Sequence, residues 1–265
     1  MKNNLFFDSV DVVISNKYYS MFLVTVLTLA RLVSGSTFLL YDYIPGEYLY
    51  ITNIAVPIIS LLLLIFSFLI SSYFLFLKQK NFQFLFSYFY ITNYIIRFVA
   101  VIILMFFCFV FGFFLFILPI SYLETFVSDE IPFELHLRVK DFYLPVVRLI
   151  AFLIMAPILL RVAFALPSTF ETNPLGYVRA FKQARGWGWP MTKAICIVWI
   201  PISLLFGVVP AYFRIRYWLE ADFVRGMVFL LADSVTTSIV VLFVFAVISK
   251  AYETSASRSI EEIWD

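Results

Sequence analysis

Positive charge collects in one connection between apolar segments, residues 161–193, which we call the basic connector. Guanidinium and ammonium groups bind phosphate oxygens, so this segment is suited to holding the headgroups of anionic lipids. The alternative is an ordinary basic loop that only sets the orientation of the chain in the membrane. The residues predicted to lie at the lipid headgroups are Arg161, Arg179, Lys182, Arg185 and Lys193.

Three charged residues fall inside apolar segments, namely Arg31, Arg148 and Asp233. An isolated charge at the centre of a bilayer costs about 2.5–3.5 kcal/mol on insertion scales, and an ion pair lowers that cost. We therefore predict that Asp233 pairs with Arg31 or Arg148 near the outer side of the membrane, in a structural role. The alternative is a site on an ion or proton path.

Proline falls inside three apolar segments, at Pro57, Pro157 and Pro201. A proline removes one backbone hydrogen bond and bends its helix, so we predict a kink at each of these positions. Such kinks are usually filled by neighbouring side chains. In some transporters, however, broken helices mark the substrate path, and this alternative stays open.

No residue pattern indicates an enzyme. The single histidine, His136, lies in an acid-rich loop over 121–141, and the sequence contains no nucleophile elbow, zinc-protease, phosphate-loop or dinucleotide-binding motif. Cys108 and Cys196 both lie in apolar runs, whereas a metal site would need more ligands at closer spacing. We predict no catalytic residue, no metal and no cofactor. The net charge of +2 is too small to indicate a nucleic-acid partner.

The composition places these residues in a membrane protein. Hydrophobic residues make up 63% of the chain and charged residues 14%, whereas about a quarter of a soluble domain is charged. A spanning helix needs about 20 apolar residues. We predict an all-α polytopic fold with six spans, over about 20–41, 50–77, 94–120, 142–166, 190–213 and 226–249.

The first four loops between these spans alternate in charge, whereas the fifth, predicted to lie outside, is mixed, with Arg214, Arg216 and Arg225 against Glu220 and Asp222. The loop after the first span carries acids and no base, the next carries Lys78 and Lys80, and 121–141 is mainly acidic. Basic loops stay on the cytoplasmic side of a bacterial membrane. The alternation therefore predicts a multi-pass protein of the bacterial inner membrane with both termini in the cytoplasm.

Three further segments are predicted to lie along the inner leaflet as amphipathic helices, over 3–17, 81–92 and 175–188. In the last of these, Tyr177, Phe181, Ala184 and Trp187 recur at helical spacing on one face, and the cations fall on another face. Each segment precedes a pair of spans. This order predicts three repeated units, each made of a surface helix and two spans.

The basic connector also resembles a known family, the six-helix bacterial membrane proteins related to the membrane domain of glycerophosphodiester phosphodiesterase. The segment FILPIS at 116–121 is similar to the span of that family that closes on proline. The resemblance implies six helices and no catalysis by the membrane domain itself. The residues that carry it in the connector are Arg161, Ala-Leu-Pro at 165–167, Glu171, Gly176, Ala180 and Phe181.

These observations favour a non-enzymatic accessory or structural subunit. Such a protein packs against other membrane proteins or against its own copies, or organises anionic lipid of the inner leaflet. The alternative function is a transporter or channel for a lipid-like or small apolar solute, with the prolines shaping its path. An interfacial enzyme built on the 121–141 loop is a third and weaker alternative.

The predicted threading can be tested with a reporter fused after Asn173, inside the basic connector. We expect a reporter that works only in the cytoplasm to be active there, because cationic connections are not translocated. A fusion active only in the periplasm would invert the topology.

Overall fold

All regular structure in the described part of the chain is helical. The computed structural model describes residues 4–40, 58–59, 92–101, 103–104, 107, 110, 150, 153–170, 176–208 and 223–264. The all-α prediction is confirmed for these residues. The helices, in chain order, are α1 (Leu5–Ser15), α2 (Lys17–Leu40), α3 (Thr92–Val101), α4 (Leu153–Thr169), α5 (Tyr177–Gln183), α6 (Gly188–Ser203) and α7 (Phe223–Trp264).

Two helical stretches among the described residues are long and apolar enough to cross a membrane, Gly188–Phe206 and Val224–Ala256. A third is obtained if α1 and Lys17–Val33, which meet at 90°, are counted as one broken span. The chain therefore has two or three candidate spans in its described part. The predicted span 50–77 lies outside the described residues except at 58–59, and those over 94–120 and 142–166 are described only in part.

The right-angle bend between α1 and α2 lies at Asn16, where the backbone leaves helical geometry. A helix end leaves carbonyl groups without partners, and side chains can satisfy them. The Asn16 side-chain amide donates to the Val12 carbonyl at 2.8 Å, and the Ser20 hydroxyl donates to the Val13 carbonyl at 3.0 Å. These bonds stabilise the bend, and the helix predicted over 3–17 is present as a separate element.

Helix α7 is the central helix of the described structure, because α1, α2, α6 and the end of α4 all contact it. It has 42 residues, which at about 1.5 Å per residue makes it about 63 Å long, roughly twice the hydrocarbon thickness of a bilayer. The sixth span was predicted to end at 249, and the helix continues to Trp264. The charges that begin at Lys250 end the apolar run but not the helix, since Lys250 and Glu253 form an ion pair at 3.2 Å along it.

The core lies around the second half of α7. Phe243 contacts Phe6 of α1 with ring centroids 5.4 Å apart. Ala246, Val247 and Ala251 are fully buried. Met191 of α6 belongs to the same cluster. Small side chains on α7 let neighbouring helices approach closely, which is how helices associate where no water drives them together.

The first and fifth predicted spans are close to the observed helices. Helix α2 covers Lys17–Leu40 where 20–41 was predicted. The fifth, predicted over 190–213, begins at Gly188 and changes from α-helix to a π-helical turn at Leu204–Val208. This change follows Pro201, which lies inside the helix and cannot donate a backbone hydrogen bond. A π-helical turn thus follows Pro201, and the kink predicted at this residue stays a prediction.

Gly188 offers a test of how tightly α6 packs on α4. A Cβ atom at this position would overlap the backbone carbonyl oxygen of Pro157 and would touch the Arg161 side chain at 3.3 Å. Backbone cannot yield as a flexible side chain does, so we expect Gly188→Ala to cost about 1–3 kcal/mol. Thermal unfolding in detergent should show a midpoint lowered by several degrees.

Gly176→Ala is the matched control, because nothing lies within 4 Å of a Cβ atom built there. This variant should unfold close to the wild-type temperature. Equal midpoints for the two variants would contradict the close packing of α6 on Pro157.

Candidate functional site

The basic connector begins where α4 tightens into two 3-10 turns, Ala163–Ala165 and Pro167–Phe170. Pro167 cannot continue an α-helix because it lacks the backbone N–H. The Thr169 backbone N–H donates to the Leu166 carbonyl at 3.2 Å, so the Ala165 carbonyl lacks its helical donor and accepts hydrogen bonds from the Ser168 hydroxyl at 2.9 Å and the Thr169 hydroxyl at 3.1 Å. The turn is therefore built from the connector's own residues, and all of 163–169 is buried.

A short helix, α5, follows and then reverses into α6. One helix was predicted over 175–188, whereas α5 has only seven residues. The reason is Gly186, whose φ of 83° lies in the left-handed region that glycine adopts without a steric penalty. Beyond it, the Trp187 backbone N–H donates to the Ala184 carbonyl at 3.0 Å, and α6 starts at once.

The buried face of this hairpin points to the protein and not to lipid. Ala180 and Ala184 are fully buried, and Trp187 is 4% exposed. We expected Ala184 and Trp187 on a lipid-facing stripe, so that assignment was wrong. The apolar side chains that are exposed here are Val178 at 69%, Trp189 at 61% and Tyr177 at 39%.

Four of the five predicted headgroup cations are exposed beside these apolar side chains. They are Arg179, Lys182, Arg185 and Lys193. Exposed cations interleaved with exposed tryptophan and tyrosine are typical of segments at a lipid headgroup layer, because such side chains have an apolar body and a polar end. The cations of this surface are therefore suited to binding lipid phosphates, and its apolar side chains are suited to contacting the acyl chains.

The fifth cation, Arg161, lies differently. Its side chain is half-buried, and its guanidinium donates to the Phe181 carbonyl at 3.0 Å. The same group stacks on the Phe181 ring at 3.7 Å, and its Nε atom is buried without a hydrogen-bond partner. Arg161 thus holds α5 against α4 from inside the protein.

A second arginine, Arg97 of α3, also holds the connector, and our sequence analysis did not single it out. Its Nη1 donates to the Ala165 carbonyl at 2.8 Å and to the Ser168 hydroxyl at 2.9 Å, in the two 3-10 turns. Partial burial raises the pKa of Tyr177 above its ordinary value, and the nearby Arg97 guanidinium opposes that shift. The available signal was an arginine in an apolar helix together with a proline-bearing turn that frees carbonyl groups.

The end of α7 completes the attachment of the connector. The Gln183 side-chain amide donates to the Ser255 hydroxyl at 3.2 Å. The rings of Phe164 and Tyr252 meet edge-on with centroids 5.6 Å apart. The connector is consequently attached to α3, α4 and α7, and these attachments fix the positions of its cations relative to the other helices.

The structure brings together two of the three charged residues predicted inside spans. The Arg31 guanidinium lies 2.9 Å from the Asp233 carboxylate, whose second oxygen accepts from the Thr237 hydroxyl at 3.4 Å. Further along the same seam, Thr28 of α2 donates to Ser238 of α7 at 3.3 Å. Arg148 lies outside the described residues.

The ion pair and the connector lie at opposite ends of α7. The helical rise places Ser255, which binds the connector, about 33 Å along the axis from Asp233. That separation is close to the hydrocarbon thickness of a bilayer, about 30 Å. With the connector at one interface, the ion pair stands near the other interface, which suits charges that are partly accessible.

The sequence analysis also named two proline positions, Pro157 and Pro57, and the single histidine, His136. The Pro157 carbonyl packs on Gly188, and Pro57 and His136 lie outside the described residues. In the described ranges, no three side chains of histidine, cysteine, aspartate or glutamate come together as a metal site would require.

A double-mutant cycle tests the ion pair. Arg31→Gln and Asp233→Asn should each destabilise the protein, and the double variant should lose less than the sum. The side chains are 44% and 25% exposed, so we expect a coupling of only about 0.5–1 kcal/mol in unfolding measurements. Arg225→Gln with Asp233→Asn is the control pair and should be additive. Additive losses for Arg31 and Asp233 would show that the contact contributes nothing.

Comparison with known proteins gives no family. No protein-family profile, no curated protein and no solved structure matches this chain. The resemblance to the six-helix bacterial family therefore stays a prediction, and the function has to be argued from the geometry of the connector.

Proposed function

We propose that this chain is a multi-pass accessory or structural protein of the bacterial inner membrane, with both termini in the cytoplasm, which organises anionic lipid through its basic connector. The six spans and the surface helices over 3–17 and 81–92 belong to this proposal. So does the role of the connector as the inner-leaflet interface. Association with other membrane proteins or with further copies of the chain completes it.

One observation carries the proposal. Exposed cations and exposed aromatic side chains share a segment whose opposite face is packed into the protein. A free amphipathic helix would have to fold on the membrane and lose conformational entropy there. A segment already ordered by the protein presents its charges without that cost, which favours stable lipid contact over a loop that only sets topology.

The bend at Asn16 supports the proposal that α1 lies along the membrane interface. Helix α1 leaves α2 at 90°, as a helix lying along the interface leaves one that crosses it. Its buried residues Leu5 and Ser9 face the protein, while Phe7 is 67% and Ile14 62% exposed. Apolar side chains exposed on such a helix are suited to the boundary between headgroups and acyl chains.

The experiment is purification in mild detergent without lipid removal, followed by native mass spectrometry of proteins and lipids together. We expect anionic phospholipids to be retained by the wild type. Each surface cation contributes about 1 kcal/mol, so Arg179→Gln should weaken retention about fivefold. The triple variant Arg179→Gln, Lys182→Gln, Arg185→Gln should lose most of it.

Arg225→Gln is the charge-matched control, because Arg225 is an exposed arginine near the opposite end of α7. It should retain lipid as the wild type does. Equal loss of lipid in Arg225→Gln and Arg179→Gln would mean that lipid retention depends on the overall positive charge of the protein and not on the connector. A lipid-free, monodisperse monomer without any protein partner would overturn the proposal as a whole.

A further inference from the structure

Two half-buried arginines hold the buried side of the basic connector, and neither is among its exposed cations. Arg97 comes from α3, and Arg161 is the first residue of the connector, within α4. Each donates to a backbone carbonyl of the connector, Ala165 at 2.8 Å and Phe181 at 3.0 Å. Hydrogen bonds from a charged donor are roughly twice as strong as neutral ones, so these are strong points of attachment.

These attachments act at the two places where the connector's direction is set. Ala165 lies in the first 3-10 turn, where the chain leaves α4. Phe181 lies in α5, between the exposed cations Arg179 and Lys182. Holding both places fixes the rotation of α5, and rotation decides whether its cations point to the headgroups or away from them.

We propose that Arg97 and Arg161 are positioning residues for the lipid-binding surface: they orient α5 through its supporting carbonyls, so that Arg179, Lys182 and Arg185 face the headgroup layer. This inference rests on the proposed function, and it adds a cause for the orientation of the site. Arg97 is the sharper test, because the two oxygens to which it donates, on Ala165 and Ser168, precede α5 and belong to uncharged residues.

The test uses the full chain in vesicles of phosphatidylcholine, with or without an equal part of phosphatidylglycerol. A spin label at Val178→Cys, in a background with Cys108 and Cys196 replaced by serine, reports the depth and mobility of α5. A second label at Phe7→Cys on α1 is the control, since Phe7 is about as exposed as Val178 and lies on a separate helix. Preference for phosphatidylglycerol is measured on the same samples from the mobility of a spin-labelled lipid.

We expect Arg97→Gln to weaken the preference for phosphatidylglycerol about fivefold, as much as the loss of one surface cation. The label at 178 should change depth and become more mobile, while the label at 7 stays as in the wild type. Arg97→Lys should restore part of both signals, because an ammonium group keeps the charge and can donate to the same two oxygens but lacks the planar geometry. A purely structural role would move both labels together and leave no charge-dependent rescue.

Unchanged lipid preference and an unchanged label at 178 in Arg97→Gln would overturn the inference while leaving the proposed function standing. No phosphatidylglycerol preference in the wild type would overturn both. If Arg97→Gln does not fold, Arg97→Lys decides instead, because it keeps the charge and loses the planar guanidinium that binds Ala165 and Ser168 together. An Arg97→Lys protein with full wild-type lipid preference and wild-type label mobility at 178 would then refute the positioning role.

Discussion

Buried backbone carbonyl groups that lose their helical partners must find donors elsewhere, because no water reaches them inside the protein. The structure meets this demand most visibly where α4 gives way to the connector. The Ala165 carbonyl accepts from Arg97, Ser168 and Thr169, and the Phe181 carbonyl accepts from Arg161. The rest of the connector depends on these bonds, since without them the reversal into α5 and α6 would leave buried polar groups unpaired.

Helix α7 joins the connector to the other helices of the described structure. Its second half is lined with small buried residues, which let α1, α4 and α6 approach it. Its first half carries the polar seam that begins with Asp233 and continues to Ser238, facing Arg31 and Thr28 of α2. A single long helix therefore connects a charge pair near one end to the connector with its cations near the other.

The two sides of the connector differ in burial. Alanines at 180 and 184 allow α5 to lie flat on the protein, and Gly186 makes the reversal possible. The outward side then combines Trp189 and Val178 with four cations. An ordered cationic surface of this kind suits anionic lipid, whereas a disordered one would have to be ordered on each binding event.

Hydropathy and charge by themselves determined that the described part of the chain is helical, which stretches are apolar, that a helix lies over about 20–41, where α2 covers Lys17–Leu40, and that Asp233 needed an arginine. Those properties follow from composition and helical periodicity, which are local. Only the tertiary structure decided which arginine pairs with Asp233, where α5 stops, how far α7 runs past Lys250, and that Arg97 and Arg161 point inward. Each of these depends on a partner distant in sequence. A pattern read along one segment cannot tell a cation that faces lipid from one that binds a carbonyl on another helix.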